Sequence, residues 1–265
     1  MNFVIVILRR VILLIKLFLI IIIIIILVKC YQEKIKIKWK TFLQKGFEVK
    51  RGIFGIYCYC GFQGEGKTYS CVEYVHDNEF NINLFSNVHI EKPQCPYIEF
   101  SGFKEMLELR DLIDLARLRE ESYIIFKNEK YYIDFKKQVL FIYDEIFSEL
   151  QRGSKLSTDV LDFITQMRKR GFILLTTAQV WSDIPITWRR LTRYQIDCSM
   201  KNLFFTNILI KRFYDAEQMK WSNDDQEFIA PIISTTISHT RKCISSRYDT
   251  YQLIHNKNSS FNSSS

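Results

Sequence analysis

Eight consecutive residues constrain this chain more than any other feature: Gly61-Phe62-Gln63-Gly64-Glu65-Gly66-Lys67-Thr68. They satisfy the pattern Gly, four residues, Gly, Lys, Ser or Thr. In that pattern a loop between a β-strand and an α-helix turns its backbone N–H groups inward around phosphate oxygens. Side chains at the glycines would crowd such a nest. The lysine reaches the β- and γ-phosphates, and the hydroxyl of Thr68 is placed to hold Mg²⁺. The flanks agree: IFGIYCYC before the loop reads as a strand and TYSCVEYV after it as a helix. Three of the nine glycines in the chain fall within these eight residues. The expected nucleotide-binding set is Gly61, Gly64, Glu65, Gly66, Lys67, Thr68 and Tyr69, with ATP and Mg²⁺ as the implied ligands.

Two further strand ends carry chemistry. Val139-Leu140-Phe141-Ile142-Tyr143-Asp144-Glu145 is an apolar strand that runs into two carboxylates. Asp144 is expected to join Thr68 around the metal, and Glu145 to orient or deprotonate an attacking water. Phe172 to Gln179 is a second apolar strand with a polar end, and Gln179 is expected beside the terminal phosphate. Arg168, in QMRKRG, is a candidate trans-acting arginine, because ring ATPases stabilise transferring phosphoryl charge across a subunit boundary. Arg189, Arg190 and Arg193 in ITWRRLTR are candidates for the same role or for nucleic-acid phosphates. Catalytic work is thus assigned to Lys67, Glu145, Gln179 and Arg168, and the metal to Thr68 and Asp144.

From Ile53 onward, short apolar runs alternate with amphipathic stretches. Strands are expected near 53–60, 84–90, 138–143, 172–178, 194–199 and 203–211, helices near 66–77, 103–119, 156–169 and 185–192, and a hairpin over 123–135. That alternation predicts an α/β fold, a P-loop NTPase with a mainly parallel sheet covered on both faces. Ahead of it lies FVIVILRRVILLIKLFLIIIIIIILV, residues 3–28. Val11 to Val28 holds Lys16 as its one charge and just suffices, as a helix, to cross a hydrocarbon core of about 30 Å. No small-x-small cleavage pattern follows, so an uncleaved single-pass anchor is expected. The expected organisation is a transmembrane anchor over 1–28, a basic juxtamembrane linker over 29–52, the ATPase domain over 53–250 and a disordered polar tail over 251–265.

The net charge of +8 is distributed unevenly. Residues 1–28 carry +3 and residues 29–52 carry +6, which leaves −1 for the rest. The basicity therefore speaks for orientation and lipid contact, with the domain on the cytoplasmic side. It does not by itself mark a nucleic-acid face. Seven cysteines without a C-x-x-C pair, and four histidines without ligand spacing, point to reduced core thiols and no zinc site.

The P-loop, LFSNVHI, VLFIYDE, QMRKRGFILLTTAQ and ITWRRLTR occur in this order and cover roughly residues 53–200. In that order they resemble the zonula occludens toxin-like family, which includes the gene I assembly proteins of filamentous bacteriophages and is similar to the FtsK–HerA motor ATPases. Arg168 and Gly171 match that family's His-Arg-His-x-Gly segment, whereas Met167 and Lys169 replace its histidines. The resemblance implies ATP-driven assembly and export of a filamentous particle, with its single-stranded DNA, through the host membrane. It further implies a homo-oligomer, a hexameric ring among the options, working with phage coat or assembly proteins. Typical members place the span after the ATPase domain, and here it precedes it. The alternatives are a plasmid or cellular DNA translocase of FtsK–HerA type and a nucleotide-switched membrane scaffold without significant turnover.

Overall fold

The computed structural model describes residues 2–32, 35–37, 54–146, 156–203, 206–222 and 227–248. The chain opens with α1 (Asn2–Gln32) and β1 (Ile35–Ile37). The body then runs β2 (Gly55–Cys60), α2 (Lys67–Asn78), β3 (Ile82–Ser86), β4 (Tyr97–Glu99), α3 (Phe103–Leu118), β5 (Tyr123–Phe126), β6 (Glu129–Tyr132), β7 (Gln138–Tyr143), α4 (Thr158–Arg170) and β8 (Phe172–Ala178). It finishes with α5 (Ile186–Leu191), β9 (Thr192–Leu203), β10 (Thr206–Asp215), β11 (Lys220–Ser222), β12 (Glu227–Ile229), β13 (Ile232–His239) and α6 (Lys242–Ser245).

Nine strands form one sheet in the order β1-β13-β10-β9-β2-β8-β7-β3-β4. From β9 through β4 every neighbouring pair is parallel. β10 pairs antiparallel with both β9 and β13, so a meander extends the parallel core on one side. The mainly parallel α/β architecture is therefore as expected. Strands β7 and β8 occupy the predicted residues, because each is a continuous apolar run that is buried on both faces.

Alternation along β2 sorts its side chains between two cores. Ile56, Cys58 and Cys60 face the layer made by α3, α4 and α5, while Tyr57 and Tyr59 face α2 and α6. The α4 helix shows why these sequences close on the sheet. Ser157 caps it by accepting the Val160 N–H, Gly171 ends it, and Val160, Phe163, Ile164 and Met167 repeat at helical spacing on the buried side.

Strand β1 falls inside the expected 29–52 linker. It pairs in parallel with β13, with Ile35 opposite Thr235 and Ile37 opposite Ile237. The remainder of that linker past residue 37, and the expected tail over 251–265, lie outside the described residues. Among the described residues no helix is long and apolar enough to cross a membrane. The described side chains of α1 begin at Ile12, so the 1–28 span is not shown.

Helix α2 is held from behind by a buried ionic cluster. Lys211 of β10 donates to the Glu73 carboxylate, and Arg241 reaches Glu73 at 3.6 Å and Asp77 at 2.7 Å. Burial alone would lower the Lys211 pKa, but the adjacent Glu73 charge overrides it and the net shift is upward. The ion therefore stabilises the fold fully below the ordinary lysine range, and that contribution is lost only as pH rises through the elevated value. Removing one member leaves an uncompensated buried charge. Lys211→Met is expected to cost about 3–5 kcal/mol in urea denaturation, and the double variant Glu73→Gln/Lys211→Met distinctly less.

Candidate nucleotide-binding site

The C-terminal ends of β2, β8 and β7 lie side by side, because β8 pairs with both of the others. The loop after β2 is closed against β8 by the Gly61 N–H, which donates to the Gln179 carbonyl at 3.3 Å. Backbone geometry explains two glycines. Gly61 has φ +150°, and a Cβ there would lie 2.7 Å from the Cys198 carbonyl oxygen. Gly66 has φ +83°, and a Cβ would meet Met200 Cε at 2.8 Å. The loop thus folds tightly against β9, and the Glu65 carboxylate fastens it there by accepting the Met200 N–H at 2.6 Å.

Gly66 is the N-cap of α2, and no side chain caps that helix end. The first N–H groups of a helix lack intrahelical partners and carry the positive end of its dipole, so this terminus suits an anion. The Lys67 ammonium folds back over the loop and donates to the carbonyls of Gly61 at 2.8 Å and Phe62 at 3.0 Å.

Asp144 joins three elements. Its Oδ2 accepts the Thr68 hydroxyl at 2.9 Å, and its Oδ1 accepts the Thr177 hydroxyl at 2.5 Å. The same Thr177 oxygen accepts the Glu145 N–H at 2.8 Å. Asn87, just past β3, takes both backbone groups of Asp144: its Oδ1 accepts the N–H at 2.7 Å and its Nδ2 donates to the carbonyl at 3.0 Å. Thr177 and Asn87 were not singled out from the sequence. A threonine near the end of an apolar strand reads as β-propensity, and an asparagine after a strand reads as a turn.

Two solved structures can be set beside this geometry. The N-terminal domain of zonular occludens toxin from Neisseria meningitidis matches 75% of this chain and 100% of its own, with TM-score 0.43 and 15% identity. The genome packaging NTPase B204 from Sulfolobus turreted icosahedral virus 2, in complex with ATP-gammaS, matches 66% of this chain and 96% of its own, with TM-score 0.41 and 11% identity. No family model matches the sequence, and no curated protein does.

The remaining expected site residues are placed as follows. Glu145 is exposed and directly follows Asp144 at the strand end, with φ +55°. Such a conformation costs a non-glycine residue on the order of 1–3 kcal/mol. The bond from its N–H to Thr177 helps to hold it. Gln179 is exposed at the loop, with its carbonyl on Gly61. Tyr69 is different. Its side chain is buried in the core behind α2, its hydroxyl oxygen accepts the Arg241 N–H at 2.8 Å, and burial pushes its pKa up to about 12. Its side chain is thus used for packing, and only its backbone remains near the loop.

Arg168 precedes β8, at the edge of the sheet opposite the loop, and pairs with Glu217. It cannot serve the nucleotide edge of its own chain. Arg193 stacks on Tyr194 at 5.4 Å. Among the described residues no group of three or more His, Cys, Asp or Glu side chains could hold a metal. A Mg²⁺ ion bound together with a nucleotide needs only one or two protein oxygens, since phosphates and water fill the rest of its shell.

Burial raises the Asp144 pKa, against the lowering effect of the two threonine hydroxyls. The ionised carboxylate is therefore held at a cost to the free protein. Asp144→Asn is expected to raise the thermal midpoint without nucleotide while abolishing Mg²⁺-dependent binding. Thr177→Val is expected to weaken Mg²⁺-nucleotide affinity by about tenfold, the worth of one charge-assisted hydrogen bond. Differential scanning fluorimetry and a fluorescent-nucleotide titration measure the two effects.

Proposed function

We propose that this protein is a membrane-anchored, Mg²⁺-dependent ATP hydrolase that drives assembly and export of a filamentous phage particle, or its single-stranded DNA, through the host membrane. The observation that carries the ATPase reading is the bond from Thr68 to Asp144 beside a glycine-built loop at an uncapped helix N-terminus. The loop N–H groups bind the phosphates. Lys67 exchanges the carbonyls of Gly61 and Phe62 for the β- and γ-phosphate oxygens. Thr68 and Asp144 are the protein's oxygens for Mg²⁺, which when bound withdraws charge from the phosphate oxygens. Glu145, fixed by its backbone on Thr177, accepts the proton of the attacking water, and Gln179 lies beside the same point.

The ring, hexameric among the options, rests on the resemblance; Arg168, on the opposite edge and paired with Glu217, adds no support for it. The anchor rests on α1, whose described side chains from Ile12 to Val28 are apolar apart from Lys16 and mostly exposed. A helix that is apolar all round requires cover, and lipid supplies it. The basic flank that follows supports a cytoplasmic position for the ATPase domain. The particle-assembly role rests on the order of motifs in the sequence. A DNA translocase of FtsK–HerA type and a nucleotide switch without turnover are the alternatives.

Glu145 separates a motor from a switch. Glu145→Gln is expected to keep ATP binding and to lose about 10²–10⁴-fold in turnover, as removal of a general base does. Lys67→Ala is expected to lose both. Steady-state phosphate release by vesicle-reconstituted protein reads the result, and unchanged turnover in Glu145→Gln contradicts the assignment. Stimulation by single-stranded DNA favours a DNA pump over a machine that extrudes coat protein.

A further inference from the structure

We propose that the sheet edge opposite the P-loop carries a track for single-stranded nucleic acid, in which Arg117, Lys136 and Lys137 meet backbone phosphates and the exposed rings of Phe80 and Tyr132 stack bases. The inference rests on the DNA-exporting form of the function proposed above and gives the strand a place on the protein. Its basis is a cavity of about 610 Å³ at the N-terminal ends of β3, β7 and β8, with Phe80, Arg117, Asp134, Lys136, Lys137 and Arg170 on its wall. These strands run parallel to β2, whose other end leads into the P-loop. The six residues of β7 separate the cavity from Asp144, about 20 Å at a rise of about 3.3 Å each.

Charge on this wall is one-sided. It carries four cations and one carboxylate, Asp134, whose Oδ1 already accepts the Lys136 N–H at 3.0 Å. Arg170 pairs with Asp114 at 2.6 Å. Among the described residues, no carboxylate forms an ion pair with Arg117, Lys136 or Lys137. Arg117 is nevertheless fixed in place. Its Nη1 donates to the Arg170 carbonyl at 2.6 Å, and its guanidinium carbon lies 5.6 Å from the Phe135 ring centre and 5.0 Å from that of Phe172. Burial lowers its pKa, with Asp114 opposing. A guanidinium held rigidly, partly desolvated and without its own counter-ion is a strong anion site. Two further donors of the wall, Gln138 Nε2 and Arg170 Nη1, are buried without an acceptor. Buried polar groups are ordinarily paired, so a ligand rich in acceptors complements this wall.

The aromatic rings point to the kind of anion. Phe80 is 75% exposed at the first cavity. A second cavity, of about 690 Å³, shares Arg117, Asp134, Phe135 and Lys136 with the first and has Tyr132, 67% exposed, on its wall. The shared cations thus lie between two exposed rings. A phosphate alone makes no use of such rings, whereas a single strand offers both bases to stack and phosphates to neutralise. Glu120 and Glu121 stand on the wall of the second cavity, so the phosphates belong on the shared wall and in the first.

The test uses the detergent-solubilised full chain. Binding of a fluorescein-labelled oligothymidylate is read by anisotropy over a range of salt, and binding of a fluorescent ATP analogue is read in parallel. Segment 29–52, with its charge of +6, gives the same background in every variant, so the differences carry the result. Lys136→Ala/Lys137→Ala is expected to weaken oligonucleotide binding and to flatten the slope of log affinity against log salt by about 1.4, at about 0.7 per phosphate. Phe80→Ala is expected to lose about tenfold in affinity with the slope unchanged. Both are expected to bind the ATP analogue like the wild type. Oligonucleotide affinity that is equal in all three proteins, or absent, overturns the track, and the ATP analogue then decides the ATPase reading separately. Thymidine monophosphate that competes as well as unlabelled oligonucleotide assigns the cavity to a free nucleotide and also overturns the proposal. The predicted losses in proteins that bind no ATP analogue leave the track standing and sink the ATPase reading.

Discussion

The Asp144 carboxylate lies where three separate stretches of chain meet. One oxygen is bound by Thr68, at the start of α2, and the other by Thr177, at the end of β8. Its own strand, β7, supplies the backbone that Asn87 locks from the β3 side. Three neighbouring elements are therefore referenced to one buried acid on a fourth. Burial makes that acid costly to ionise, and the two hydroxyls recover part of the cost. Such a group contributes little net stability. In the proposed function its value lies in holding the loop, Thr68 and Glu145 in one frame ahead of nucleotide binding, the preorganisation that electrostatic catalysis would need.

Helix α2 is loaded at both ends of this arrangement. Its N-terminus faces the phosphate site, while Glu73 and Asp77 on its buried side are tied to Lys211 and Arg241. Lys211 belongs to the antiparallel meander added beside β9. Helix α2 is tied to β10 through Lys211 and to the end of β13 through Arg241, and β13 pairs in turn with β10 and β1. A set of backbone pairs and buried ions thus ties the helix that follows the P-loop to the antiparallel meander.

The parallel half of the sheet was legible because its signals are local. An eight-residue loop motif and two apolar runs with polar ends locate β2, β7 and β8 and identify Lys67, Thr68, Asp144 and Glu145. The meander was less legible. β9 and β10 were expected shorter than they are, and β13, β11, β12 and β4 were not anticipated, since mixed polar–apolar strands such as IISTTISH lack a clean period. β1 lay hidden in a basic segment that reads as linker. Thr177 and Asn87 carry no pattern of their own, because their roles arise only when β3, β7 and β8 become neighbours. Tyr69 illustrates the converse: adjacency to the motif suggested ligand contact, but the helical turn directs its ring to the core and toward Arg241.

The central claim is that this edge of the sheet binds a nucleotide through Thr68 and Asp144 by way of Mg²⁺. Calorimetric titration of the detergent-solubilised full chain with a non-hydrolysable ATP analogue, with Mg²⁺ and then with EDTA, tests it most directly. The account predicts one site per chain, with affinity that falls at least tenfold when Mg²⁺ is withdrawn, about 1.4 kcal/mol or more. Absence of binding, or binding indifferent to Mg²⁺, would contradict it.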